Sequence, residues 1–264
     1  MTTSLFISDL HLDPGRPEGI QLFDNFIRNK AVDANQLFIL GDLFEYWLGD
    51  DACEYSGYQA IEKSLAILAG CNTKVYFMHG NRDFLVGKDF ASSICCQLLP
   101  DPTVFRLNDL DVLLMHGDSL CTDDEAHQQF RAVSRSNEWK KNILSKTIHE
   151  REEFARQLRM NSQKSNAEKI GSILDVNQTA VKAALLGHNV RLLIHGHTHR
   201  TAIHEFQLAG KTVHRIVLGD WYQQGNYLVH DQAKFSLLSY PDDTVLATVK
   251  ISKASTTTSR KHPA

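Results

Sequence analysis

The sequence predicts an α/β protein: a sheet with crossover connections, interrupted by a helical insertion. Three observations carry that prediction. Short apolar runs alternate with stretches of helical periodicity through the first half of the chain. A polar cluster follows each apolar run, as expected where ligands bind beyond the carboxyl ends of strands. A strand-free stretch rich in Arg, Lys, Gln, Glu and Asn then separates two regions of strand pattern.

Taken in order, Leu5-Phe-Ile-Ser8 reads as a buried strand, and Ile20, Phe23, Phe26 and Ile27 give residues 20–30 a helical apolar face. Leu37-Phe-Ile-Leu40 is the second strand, with a helix over about 57–69 behind it. Val75-Tyr-Phe-Met78 and Val112-Leu-Leu-Met115 read as the third and fourth strands. From Thr122 to Leu186 the pattern is helical, and Trp139, Ile143, Phe154 and Leu158 form an interrupted apolar stripe. That stripe suits an acyl pocket, a membrane-facing surface or a plain packing seam. Arg191-Leu-Leu-Ile194 resumes the strand pattern, and residues 200–251 suit β-hairpins turning at Ala209-Gly210 and Pro241-Asp-Asp243. The expected organisation is a core over 1–121 and 186–252, a helical insertion or lid over 122–185, and a flexible polar tail over 253–264.

A chain of 264 residues has room for one or two domains with a large core. With 42% hydrophobic and 22% charged residues it is neither disordered nor fibrous. Lys+Arg 28 against Asp+Glu 31 leaves −3, so no global basic field recruits nucleic acid. No apolar run is long enough to span a bilayer, and the first residues lack the basic start of a signal peptide. Cys53, Cys71, Cys95, Cys96 and Cys121 are odd in number and form no CxxC pair, which points to reduced thiols in a cytoplasmic protein.

The 13 histidines are not scattered. Asp9-x-His11, Gly41-Asp42, Gly80-Asn-Arg-Asp83, His116-Gly-Asp118 and His195-Gly-His-Thr-His199 each follow a strand. Singly, each suits a turn carboxylate or a surface imidazole. Together they place O and N donors at one end of a sheet, where a divalent metal takes both. His197 and His199 would diverge on a strand, whereas in a loop they can serve two adjacent ions.

In order, these residues resemble the five motifs of the calcineurin-like metallophosphoesterases, across residues 7–199. The resemblance implies a four-layer α-β-β-α sandwich. It implies one metal on Asp9, His11, Asp42 and His199, and a second on Asp42, Asn81, His116 and His197, with Asp42 bridging. His195 falls outside that set, as a structural or supporting residue. Two divalent ions clamp the attacking and leaving oxygens of an in-line displacement at phosphorus and lower the pKa of water. Asp42, Asn81, Arg82 and His116 are the implied catalytic residues. Many members carry a proton-donating histidine where Arg82 stands. Losing that acid matters least when the leaving group is itself a phosphate, so a pyrophosphate substrate is favoured, with Arg82 stabilising charge.

Longer runs sharpen the match. Phe6-Ile-Ser-Asp-Leu-His-Leu12, Leu40-Gly-Asp-Leu-Phe-Glu45, Gly80-Asn-Arg-Asp-Phe-Leu85, Leu120-Cys-Thr-Asp-Asp124, Asp175-Val-Asn-Gln178 and Ile194-His-Gly-His-Thr-His-Arg200 are similar to the diphosphatase family acting on UDP-2,3-diacylglucosamine. This implies water attack at the UMP-side phosphorus, release of UMP and 2,3-diacylglucosamine 1-phosphate (lipid X), and a place in lipid A biosynthesis. It also implies Mn2+, a monomer, and a peripheral position on the cytoplasmic face of a bacterial inner membrane. The implied substrate contacts are Asn81, Arg82, Asp124, Ser162, Asn166, Lys169 and His197. Arg131, Arg135, Lys140, Lys141, Arg151, Arg156 and Arg159 are cations that could meet anionic headgroups. Another phosphodiesterase or nuclease on the same metals is the alternative, though a nuclease groove would be basic and aromatic. A non-catalytic metal-binding or lipid-binding module is disfavoured, because every ligand position is filled.

Overall fold

A computed structural model describes residues 2–168 and 175–251, with the side chains of 161–168 outside that description. Lys169 and the tail expected over 253–264 lie outside the described residues, and Ser162 and Asn166 are placed only as backbone.

Among the described residues, twelve strands form two sheets. In chain order they are β1 (Thr3–Ile7), β2 (Gln36–Ile39), β3 (Lys74–Met78), β4 (Cys96–Leu99), β5 (Thr103–Leu107), β6 (Leu110–Leu114), β7 (Leu192–His195), β8 (Ala202–Leu208), β9 (Lys211–Val217), β10 (Gly225–Asp231), β11 (Lys234–Tyr240) and β12 (Val245–Lys250). The helices are α1 (Pro17–Asn29), α2 (Gln59–Ala66), α3 (Lys88–Ser93), α4 (Glu125–Ser134), α5 (Asn137–Leu144), α6 (Ile148–Glu168) and α7 (Gln178–Gly187). One sheet runs β12-β11-β10-β1-β2-β3-β4 and the other β5-β6-β7-β9-β8. The expected α/β class holds, and so do the two sheets of the four-layer sandwich that the resemblance implied: β6 and β7 build the second sheet and do not extend that of β1–β3. Strand periodicity alone reports which residues are buried, not which sheet receives them.

Every central strand is buried on both faces, and its alternation sorts side chains into layers. Leu5 and Ile7, Leu37 and Ile39, and Val75 and Phe77 face α1 and α2, whose Phe23, Phe26, Ile61 and Leu65 complete that core. Their alternates Phe6, Phe38, Leu40, Tyr76 and Met78 point the other way, against Val112, Leu114, Leu192, Ile194 and Ile216 of the second sheet. Leu113, Leu193 and Val213 turn outward onto Val181 and Leu185 of α7. Helix, sheet, sheet and helix thus stack in four layers. The expected hairpin turn at Ala209-Gly210 joins β8 to β9, with Ala209 and Gly210 both at positive φ.

Between β6 and β7 the chain forms α4, α5 and α6, each with its own start signal. The Asp124 carboxylate accepts the His127 N–H and Ser136 Oγ accepts the Trp139 N–H. Thr147 and Glu150 exchange bonds as a capping box. All five cysteines are free thiols, as expected. Among the described residues no helix is long and apolar enough to cross a membrane.

Candidate active site

The loops after β1, β2, β3, β6 and β7 meet where the two sheets adjoin, and they bring all seven candidate ligands together. Asp9, His11 and His199 form one cluster, and Asp42, His116 and His197 the other. Asp42 Oδ2 stands between them, 3.9 Å from His11 Nε2 and 3.7 Å from His116 Nε2. Asn81 Oδ1 lies 3.0 Å from His116 Nε2 and 2.9 Å from His197 Nδ1. His197 and His199 sit in a loop and join different clusters, the arrangement that two adjacent ions require.

Close backbone approach makes this possible. A Cβ on Gly80 would lie 2.1 Å from Asp42 Oδ1, and one on Gly41 would lie 2.6 Å from the Gly80 backbone. Only glycine lets these two loops touch. Asp42 Oδ1 then accepts the Arg82 N–H at 2.8 Å, which leaves Oδ2 for the centre. Asp9, His11, Asp42, His197 and His199 all have positive φ, between 48° and 68°. That region is unfavourable for residues with a side chain, and its concentration here marks a functional constraint.

Several buried polar atoms face opposite charges without a well-formed hydrogen bond: Asp9 Oδ1, 3.3 Å from His199 Nε2, and both ring nitrogens of His11. Such orphans are costly unless something completes them. The neighbouring carboxylates, carbonyl oxygen and imidazoles form a donor set suited to a pair of divalent cations. Burial pulls the His116 imidazole down, but the Asp42, Asp118 and Asp9 carboxylates outweigh it and push it up to about 9. His199 is likewise raised to about 10, its burial overcome by bonding to Asp220 and Asp9. Burial and the nearby His116 charge push His197 down to about 3.

Supporting groups fix the rings. His116 Nδ1–H donates to the Leu40 carbonyl at 2.8 Å, aiming Nε2 at the centre. Glu45 lies 3.5 Å from His11 Nδ1, and Asp220 3.3 Å from His199 Nδ1. Sequence reading missed both roles, yet Gly219-Asp220 after β9 repeats the strand–Gly–Asp pattern of Gly41-Asp42. Asp83 and Asp118 act on the imidazoles of the clusters through charge and not as hydrogen-bond partners. Asp83 accepts the Leu43 and Gly80 N–H groups, each at 2.8 Å, and so ties two loops together. Asp118 instead accepts from Arg131 Nε at 2.9 Å. His195 is fully buried, set between the Gly196 carbonyl and Arg215, outside either cluster.

A 560 Å3 cavity opens from this centre beneath α4–α6. Asn81, Arg82, Asp124 and His127 stand at its inner end, and Trp47, Phe84, Trp139, Ile143, Phe154 and Leu158 are among its apolar walls. The interrupted stripe is therefore a cavity wall. Trp47 is 3% exposed and belongs to both core and wall. Arg82 Nε is buried with no partner. His127, unsuspected from sequence, lies tilted beside His197 with ring centroids 5.6 Å apart. Most of the cations proposed to meet headgroups are engaged internally: Arg131 and Arg135 with Asp118, Arg151 with Asp51, Arg156 with Glu153, and Arg159 with Glu45.

Two sheets with paired metal-holding clusters at their shared end are the framework of a phosphoesterase, and the chain belongs to the calcineurin-like phosphoesterase family, matched over residues 2–201. Within that family, relatives 46–49% identical to it share one name. The chain is 49% identical over 219 residues to the UDP-2,3-diacylglucosamine hydrolase of Chromohalobacter salexigens, covering 83% of this chain and 89% of that one. It is 46% identical over 242 residues to the UDP-2,3-diacylglucosamine hydrolase of Stenotrophomonas maltophilia, covering 89% and 97%. The enzyme of that name from Xanthomonas oryzae is equally similar, 46% over 242 residues.

Proposed function

We propose that this chain hydrolyses the pyrophosphate bond of UDP-2,3-diacylglucosamine to UMP and 2,3-diacylglucosamine 1-phosphate, in lipid A biosynthesis. The observation that carries the reading is the junction of a two-cluster metal site with a 560 Å3 aromatic cavity. A generic phosphodiesterase needs the first and has no use for the second. The relatives' shared name points to the same substrate.

Asp9, His11, Asp42 and His199 would hold one ion, and Asp42, Asn81, His116 and His197 the other, with Mn2+ the favoured metal. Bound there, the pair supplies a low-pKa water and positive charge opposite the reacting phosphorus. The protein's own part is positioning. Arg82, with its free Nε, presents a guanidinium to the diphosphate oxygens. Attack falls on the UMP-side phosphorus, and the departing sugar phosphate is a weakly basic anion that needs no acid from the protein. The full burial of His195 is consistent with that. Asn81, Asp124 and His197 contact the substrate, joined by Ser162, Asn166 and Lys169 from the sequence resemblance. Helices α4–α6 act as a lid whose aromatic underside takes the acyl chains. Exposed Val133, Leu144 and Met160 on those helices support a peripheral seat on the inner-membrane surface.

The test is a product assay with purified protein and Mn2+ on UDP-2,3-diacylglucosamine, UDP-N-acetylglucosamine and a generic phosphodiester. UMP released from the diacylated substrate alone is the expected result. Turnover of the generic diester alone would return the assignment to the wider family.

A further inference from the structure

The cavity accounts for one half of a diphosphate diester. It meets the centre between Asn81, Arg82 and His127 on one side and Glu45, 3.5 Å from His11 Nδ1, on the other. A substrate whose acyl-bearing half fills it must extend its other half outside that wall, and Tyr222 and Arg16 stand outside it beside the first cluster. There the His11 ring lies parallel to Tyr222, with centroids 5.3 Å apart and 4° between planes. The Arg16 guanidinium lies over the same tyrosine, 4.8 Å from its centroid, and donates to the His11 carbonyl. The Tyr222 N–H donates to Asp220, the carboxylate that also braces His199. Tyr222 is nevertheless 50% exposed and takes no part in the cavity wall.

We infer that Tyr222 and Arg16 form the nucleoside subsite: the uracil ring stacks on the exposed part of Tyr222, and Arg16 donates to its carbonyl oxygens. The inference rests on the substrate proposed above. Losing a stacked base costs on the order of tenfold in affinity or more. A guanidinium only donates, so it favours the uracil O4 acceptor over the cytosine amino group.

The test compares UDP-2,3-diacylglucosamine with the same diacylglucosamine diphosphate capped by methyl instead of uridine. Tyr222→Ala should raise KM for the uridylylated substrate about tenfold with little change in kcat, and weaken UMP inhibition in step. KM for the methyl-capped substrate should move far less, and Tyr222→Phe should restore both. Equal losses on the two substrates would reduce the ring to a brace for His11, and no loss on either would remove the stack; each overturns the inference. Arg16→Met should narrow the preference for the UDP over the CDP substrate, and an unchanged ratio would remove Arg16. UMP inhibition of bis(p-nitrophenyl) phosphate hydrolysis, set against methyl phosphate, reads the same stack without the lipid. A protein inert toward the UDP-lipid yet inhibited by UMP through Tyr222 fails the substrate proposal and keeps this one.

Discussion

The floor and the roof of the cavity are held by different means. On the floor, Asp9, Asp42 and His116 are 0–2% exposed and sit two or three residues past strand ends. Backbone contacts fix them. The roof is attached through long side chains: Arg131 reaches Asp118 at 2.9 Å and Asp101 at 3.0 Å. Arg151 reaches Asp51 at 2.6 Å and the Leu48 carbonyl at 2.7 Å, and Arg159 lies 3.3 Å from Glu45. The difference separates chemistry from selectivity. Floor residues touch what every phosphoester has, whereas roof residues touch only what fills the cavity.

That separation can be broken by experiment. Asp42→Ala should abolish turnover of every substrate and deplete bound metal while the protein stays folded, as followed by metal analysis and circular dichroism. An active variant would sink the bridged two-metal site. Arg82→Ala should lower kcat about 100-fold or more on lipid and generic diester alike, the scale for losing a charge-stabilising donor. An unaffected rate would take away its role.

Metal uptake sharpens the floor's side of the comparison. His116 and His199, raised to about 9 and about 10, are protonated at neutral pH without metal and must be neutral to ligate. Affinity should therefore fall as pH falls, by up to about 100-fold per pH unit for two protons. Titrating the metal-free protein with Mn2+ in weak buffer should release close to two protons, and none released would contradict it. Trp139→Ala, on the roof, should raise KM about tenfold for the diacylated substrate, the scale of one lost apolar side-chain contact. Its rate on a generic diester should not change; a loss there would mean floor and roof are not separable.

The same contrast explains what was legible in the sequence. The floor could be read because each ligand lies just past an apolar strand, so local order gives its position. Asp9, His11, Asp42, Asn81, His116, His197 and His199 all converge as their spacing suggested. The roof's side of the story was ambiguous: Trp139, Ile143, Phe154 and Leu158 fit a pocket wall as well as a packing seam, and only long-range placement decides. Arg131 and Arg151 looked like surface cations because their carboxylates lie 13 and 100 residues away. The short edge strands β4 and β5 escaped notice too, since Cys96–Leu99 and Thr103–Leu107 are half-exposed and lack a strong apolar run.

The left-handed backbone at Asp9, His11, Asp42, His197 and His199 has a consequence for how this protein can change over generations. At each of these positions glycine would relax the chain while deleting one of the proposed metal donors. A disabled copy could then fold more readily than a working one. Stability and activity are opposed along this short set of residues, and drift freed from selection for hydrolysis should erase the metal site before it erodes the sheets that carry it.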